Sequence, residues 1–389
     1  MELDRVPEIA KYLSLVFLLA WLGRSTVWYF LPVYIERHIA SVFLVGIVTS
    51  LPAAVPVVLD IPVGNLVQRT GEKAVILLGL LVTVMPPLMY LFAVPVMLVL
   101  GKLLEGVAKT LLFNGGWSVT MKSSDDDIEG ESVSVFLMGL NLALVVGPLI
   151  GGYLLASYGF RLAFWLWVFT AVLAVLVFLS YIGLEEKRGF FDSLEDLFHR
   201  ETYSKDWNHL KDNWSRLRFP LTLVFLYYMI FSFYWLAIPL LLDKMSAGFP
   251  LMGLIFGLAA MPKTFQFAFG DLADRIGRTH VLLITSLVLT PVLVAMSSVT
   301  APLAIGAMFF VARIFSAGMS PAIHSLFDSN CPEELESELT GFLEFFKHSG
   351  MALGPVVAGA AASIWSLSAS FLVAASVSTL IFLLTWRNG

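Results

Sequence analysis

The sequence predicts an all-α membrane protein of twelve transmembrane helices arranged as two pseudo-symmetric six-helix bundles. Three observations carry that expectation. The first is composition: 58% of the 389 residues are hydrophobic, 14% are charged, and the mean hydropathy is +0.84. A soluble domain carries about 25% charged residues. At ~20 residues per span, the chain holds roughly twelve spans joined by short loops. The second is a pair of short polar loops, each set between apolar runs. Gly270-Asp271-Leu272-Ala273-Asp274-Arg275-Ile276-Gly277-Arg278 stands 206 residues after Gly64-Asn65-Leu66-Val67-Gln68-Arg69-Thr70-Gly71-Glu72-Lys73. The third is a set of landmarks spaced by 207: Trp28…Pro32 against Trp235…Pro239, and Gly147-Pro148 against Gly354-Pro355. A shared offset across separate landmarks is the mark of an internal parallel repeat.

The apolar runs place helix 1 at 11–35, helix 2 at 43–66, helix 3 at 74–93, helix 4 at 96–121, helix 5 at 132–155 and helix 6 at 162–184. Helix 1 is long enough for a full span and lacks a small-residue cleavage site, so it reads as retained rather than as a signal peptide. A polar segment follows at 185–218, with seven Lys/Arg interleaved with acids. Within it Phe191, Leu194, Leu197 and Phe198 fit a short amphipathic helix on the inner leaflet. Helices 7 to 12 follow at 219–242, 250–272, 280–298, 302–324, 340–362 and 364–386. The expected division is an N-terminal bundle at 1–184, a linker at 185–218 and a C-terminal bundle at 219–389. Basic residues favour the cytoplasmic side. With fifteen of the 24 Lys/Arg on the linker side, three in outer loops and six within helices, both termini are expected inside a multi-pass protein of the plasma membrane.

In the two loops, Gly71 and Gly277 suit the positive φ of a tight turn, and Gly64 and Gly270 suit close helix approach. The pattern G-x-x-x-D-R-x-G-R resembles the signature between the second and third helices of the major facilitator superfamily, repeated between its eighth and ninth. The resemblance covers nearly the whole chain and implies the major facilitator fold and secondary transport by alternating access. It also implies a cytoplasmic gate at Asp60, Gly64, Arg69, Gly71, Gly270, Asp274, Arg275, Gly277 and Arg278. The first loop departs from the pattern, with Gln68 and Glu72 where Asp and Arg are expected. Asp60 or Glu72 is then the candidate substitute for the missing charge. Leu98-x-x-x-Lys102-x-x-Glu105-Gly106-x-Ala108 resembles the family's fourth-helix frame, with Lys for Arg and Glu for Gln. Gly147, Pro148, Gly151 and Gly152 resemble the fifth-helix signature of its antiporters; Gly354 and Pro355 repeat its start. Such residues permit close contact and bending.

Charges inside spans are the candidate chemistry, because a charge at the bilayer centre costs roughly 2.5–3.5 kcal/mol even on insertion scales. The bases are Arg24, Lys102, Lys109, Lys263, Arg313 and Lys347; the acids are Asp60, Glu105 and Glu344, with His324 and His348 beside them. Lys102, Glu105 and Lys109 recur at i, i+3, i+7, on one helix face. Arg24 has Trp21 and Trp28 one turn to either side, and static ion pairing is the alternative to cavity lining for every member of the set. Arg313, Ser320 and His324 form one stripe of helix 10; Glu344, Lys347 and His348 sit together on helix 11. The excess of bases points to an organic-anion substrate near Arg24, Lys102 and Arg313, with Glu105 as the leading proton carrier. A proton-coupled exporter of multiple lipophilic compounds is the alternative, and a non-transporting membrane sensor on the same fold is the alternative from another class. No Walker, H-E-x-x-H or G-x-S-x-G pattern occurs, so neither an ATP-driven pump nor an enzyme is expected. Cys331 is the one cysteine, which excludes an internal disulfide and a cysteine metal cluster. No cofactor or metal and no nucleic acid are expected. The partners are a small solute, protons and the bilayer; a monomer is consistent with this.

Overall fold

A computed structural model describes residues 6–125, 128–180, 200–264 and 275–388. Among them there are helices and turns and no strand. Helix α1 is Glu8–Trp28 and continues after a turn as Leu31–Glu36; α2 is Val42–Thr70. Helix α3 is Glu72–Thr83, prolonged by Met85–Tyr90 beside Pro86 and Pro87; α4 is Pro95–Lys122. One continuous run, Glu129–Ser180, contains α5 (129–158) and α6 (160–180), divided at Gly159, whose φ is 73°. Then come α7 (Arg200–Lys244), α8 (Phe249–Thr264), α9 (Arg278–Met296), α10 (Pro302–Asp328), α11 (Glu336–Ile364) and α12 (Leu367–Asn388).

This is the expected all-α, twelve-span plan. Seven of the described helical stretches are long and apolar enough to cross a membrane, and Glu129–Ser180, with its two helices, is one of them. The long helices α1, α4 and α11 fall outside that set. They are also the helices that carry Arg24, the Lys102–Glu105–Lys109 ladder and the Glu344–Lys347–His348 group.

Two details differ from the sequence reading. Helix 1 was expected unbroken over 11–35, and it turns at Tyr29–Phe30. Helix 7 was expected from 219, and it begins at Arg200, so the second half of the polar segment is a rigid prolongation of a span. Its Leu210 and Leu217 are buried while Lys211, Arg216 and Arg218 are exposed. An amphipathic stripe explains the continuation: tertiary packing of the apolar face holds a helix that polarity alone would not. The expected inner-leaflet helix at 191–198 lies outside the described residues.

Contacts divide the chain into two compact units. Unit 1 comprises Met1–Leu31, Val58–Phe198 and Gly248–Gly257; unit 2 comprises Pro32–Val57, His199–Ala247 and Leu258–Gly389. In unit 1, α1 packs on α5 along small residues. A Cβ added at Gly147 would lie 2.4 Å from the Ser25 Cβ, and one at Gly151 would lie 1.9 Å from the Thr26 carbonyl oxygen. The Gly139 N–H donates to Ser14 Oγ at 2.9 Å in the same seam. Phe17 stacks on Trp21 at 5.0 Å and meets Phe136 edge-on at 4.6 Å, forming the aromatic centre of this unit.

In unit 2, α7 and α11 meet in the same way. A Cβ at Gly354 would lie 2.1 Å from Ser232 Oγ and 2.3 Å from the Met229 carbonyl. Gly147 with Ser25 and Gly354 with Ser232 are thus equivalent pairs, 207 apart at both members. A second equivalence joins Gly152 with Gly253 in unit 1 and Gly359 with Gly46 in unit 2, where the added Cβ atoms would lie 3.2 and 3.3 Å from the partner Cα. The repeat is therefore written in contacts as well as in sequence.

Candidate functional site

The charged residues within the spans form one cluster in each unit. In unit 1 the centre is Glu105, whose carboxylate is fully buried. Arg24 of α1 donates to Glu105 Oε2 through Nε at 3.1 Å and Nη2 at 3.0 Å. Lys102 Nζ lies 3.0 Å from Oε1, and the Tyr90 hydroxyl donates to the same oxygen. An ionised carboxylate offers about four acceptor positions; Glu105 receives four donors. Lys102 is 2% exposed and Arg24 13%. The Arg24 guanidinium also lies 5.1 Å above the Trp28 ring, which supports a cation on its face.

The i, i+3 spacing of Lys102 and Glu105 was visible in the sequence; Tyr90 was not. It ends the short helical piece after Pro86-Pro87 and reaches Glu105 because Gly101 leaves room for its ring. A Cβ at Gly101 would lie 2.4 Å from Tyr90 Cε1. A glycine one helical residue before an in-span lysine is the sequence signal that could have pointed to a neighbour. Lys109 joins Arg24 and Glu105 in lining a small cavity of about 10 Å³, room for the centre of one water molecule. Trp167 lines it too, and among the described residues its buried indole N–H has no hydrogen-bond partner.

In unit 2 the cluster is built differently. Arg313 of α10 donates Nε to the Ala259 carbonyl at 3.2 Å, and its guanidinium lies 4.5 Å above the Phe231 ring. Lys347 of α11 pairs with both carboxylate oxygens of Glu344 at 2.8 Å and lies 5.7 Å above the Tyr228 ring. His348 Nδ1 is 4.0 Å from the same carboxylate. Lys263 of α8 is exposed, and the charges acting on it are those of Arg313 and Lys347, both of like sign. His324 Nδ1 faces the Ser320 carbonyl at 2.8 Å within α10, and its ring meets Tyr228 edge-on at 6.3 Å. Outside the spans, burial lifts the Glu36 carboxyl above its ordinary value, with Lys244 opposing.

The loop residues divide as follows. Gly71 and Gly277 take φ of 86° and 92°, each turning the chain into the next helix. Gly64 was expected at a close helix approach; among the described residues an added Cβ there would meet only Asn114 Oδ1, at 3.8 Å, which is not a close approach. Asn114 Nδ2 reaches Asp60 Oδ1 at 3.5 Å. Glu72 takes Lys122 and, at 3.0 Å, the Ser118 hydroxyl, both from α4. Arg69 lies in the last turn of α2 and Arg275 in the turn before Gly277. Arg278 Nη1 donates to the Ser325 carbonyl at 2.7 Å, near the end of α10. Gly270 and Asp274 lie outside the described residues. Gly147, Gly151, Gly152 and Gly354 are close-packing positions; Pro148 and Pro355 sit within continuous helices, and the Pro355 carbonyl faces Gly46.

Repeated halves of long apolar helices with charges inside the spans define a multi-pass membrane protein. The family model described as Major Facilitator Superfamily matches residues 13–263 and 220–388, and the chain belongs to that family. Among curated proteins it is similar to the multidrug resistance protein MdtG of Escherichia coli. It is 23% identical to the protein of strain SMS-3-5 / SECEC and 24% to that of strain K12 / DH10B, over 95% of this chain and 93% of each relative. Among solved structures, the human organic anion transporter MFSD10 (TETRAN) superposes with a TM-score of 0.69 at 18% identity, covering 97% of this chain and 100% of that one. The nucleoside transporter NupG superposes at 0.77 with 13% identity, covering 98% and 99%. At these identities the solved structures speak to the fold alone.

Proposed function

We propose that this protein is a secondary active transporter of a small organic anion, working by alternating access of the chain halves 1–184 and 219–389 about a midplane site. The proposed setting is the plasma membrane with both termini cytoplasmic. The observation that carries the anion reading is the imbalance of in-span charge in unit 2 among the described residues: Lys263, Arg313 and Lys347 against Glu344, which Lys347 already occupies. A part-buried cation that meets no acid, as at Arg313, is costly, and an anionic solute offsets that cost while bound. Arg24 and Lys102 both bond the Glu105 carboxylate, whereas Arg313 meets a carbonyl and a ring and no acid among the described residues, so the solute's charge is assigned to the unit 2 cations. Glu105 is the proposed proton carrier: taking up a proton removes the charge that holds Arg24 and Lys102.

The second reading is a proton-coupled exporter of multiple lipophilic compounds. The similarity to proteins named for multidrug resistance over 95% of the chain favours it, as does the Gly147-Pro148-x-x-Gly151-Gly152 run. Reconstituted protein assayed for flux of anionic, neutral and cationic probes under an imposed pH gradient separates the two. Saturable anion flux that collapses with the gradient supports the first reading. Flux of lipophilic cations alone supports the second and defeats the first.

A further inference from the structure

The cations of unit 2 are placed on an aromatic stripe. Tyr228, Phe231 and Trp235 recur at i, i+3, i+7 on α7, so they share one face, and all three are only partly buried. Their rings touch in sequence: Tyr228 to Phe231 at 5.9 Å and Phe231 to Trp235 at 5.6 Å, both edge to face. Lys347 lies over the first ring and Arg313 over the second. The Arg313 guanidinium is fixed twice, by the ring beneath it and by the Ala259 carbonyl on its Nε. A planar cation pre-oriented in this way loses little freedom on meeting an acid group. The surface therefore offers contiguous ring area immediately beside the Arg313 guanidinium, which meets no acid among the described residues.

We infer that the preferred solute is an aryl monoanion, an aromatic carboxylate or sulfonate whose ring lies along the Tyr228–Phe231–Trp235 stripe while its acid group meets Arg313. This rests on the anion reading above and narrows it. A small inorganic anion gains nothing from the rings. An aliphatic acid gains apolar contact but not ring-to-ring or ring-to-guanidinium stacking, which is worth a few-fold to about tenfold in affinity per well-placed pair. The first repeat keeps rings at the positions equivalent to Tyr228 and Trp235, which are Trp21 and Trp28, but it places Arg24 where the second has Phe231, so the middle ring of the stripe belongs to this half alone.

The test is ligand-dependent stabilisation and direct binding on the purified full-length protein. The probes are 2-naphthoate, octanoate and 2-naphthylmethylammonium. The expected order is naphthoate about fivefold to tenfold tighter than octanoate, with no binding of the ammonium probe. Phe231→Leu keeps apolar volume and removes the ring; it should erase the preference for naphthoate while leaving octanoate binding in place. Trp235→Leu should reduce the preference less, and it serves where Phe231→Leu does not fold. Equal affinity of wild type for naphthoate and octanoate overturns the aryl inference and leaves the anion reading standing. Binding of the ammonium probe with neither anion overturns both. An unchanged preference in both folded variants assigns ring recognition to other residues and also overturns the inference.

Discussion

Positions 207 apart in the two halves hold Arg24 and Phe231, Lys102 and Phe309, Glu105 and Ala312. The backbone is repeated at these places and the charge is not. In unit 1 a carboxylate accepts from Arg24, Lys102 and Tyr90 and is sealed from solvent. In unit 2, Lys347 and Glu344 remain 25% and 35% exposed, and Arg313 answers a carbonyl and a ring rather than an acid. Buried charges bonded to one another act as a lock for as long as the carboxylate stays ionised, because removing its charge strands the cations in low dielectric. Open and unmatched charges hold interaction capacity in reserve for a ligand. At the loops an acid is met in one half and a carbonyl in the other: Lys122 of α4 pairs with Glu72, while Arg278 donates to the Ser325 carbonyl of α10. Duplication preserved the glycine seams and left the charges free to diverge.

This contrast can be broken most sharply at its centre. Glu105→Gln leaves Arg24 and Lys102 buried without a countercharge, and it should cost about 3–5 kcal/mol of stability, read as a large loss of unfolding temperature in detergent. Arg313→Gln should leave the unfolding temperature close to wild type. Equal losses at the two sites would erase the distinction between lock and ligand surface. Tyr90→Phe removes one hydrogen bond to an ionised acceptor and should cost roughly 1.5–3 kcal/mol; no change in unfolding would mean that Glu105 is held without it. At the seams, Gly151→Ala should destabilise by about 1–3 kcal/mol, since its Cβ meets backbone at 1.9 Å. Gly64→Ala should stay within about 0.5 kcal/mol, since its nearest neighbour is at 3.8 Å. A reversed order would return Gly64 to the role of a close-packing position. A small effect is likewise expected at Lys122→Ala, a half-exposed pair worth about 0–1 kcal/mol.

Much of this architecture is legible in the chain because repeats and helix faces are local properties. The Trp–Pro and Gly–Pro landmarks and the Lys102–Glu105 spacing need only periodicity to be seen. The Arg24–Glu105 bond joins residues 81 apart, so the sequence supplies the two charges but not their meeting. Tyr90 was invisible because a tyrosine in an apolar run is usually only a packing residue. Gly46 and Gly253 were passed over for a similar reason: a lone glycine in a span acquires meaning only beside the glycine it faces. The helical run before 219 escaped because its polarity reads as a loop, while the leucines that hold it are sparse. The alternation of Tyr228, Phe231 and Trp235 lay in plain view, yet an aromatic stripe becomes a candidate surface only when cations are seen on its rings.

The measurement that bears most directly on the account is saturable uptake of a labelled organic anion into proteoliposomes by wild type and by Arg313→Gln, with unfolding temperature recorded on the same preparations. The account predicts that the wild type accumulates the anion, and that Arg313→Gln lowers uptake at least about tenfold while unfolding close to wild type; tenfold corresponds to 1.4 kcal/mol of lost interaction. Uptake by folded Arg313→Gln equal to wild type, or a wild type that moves only cations, would contradict it.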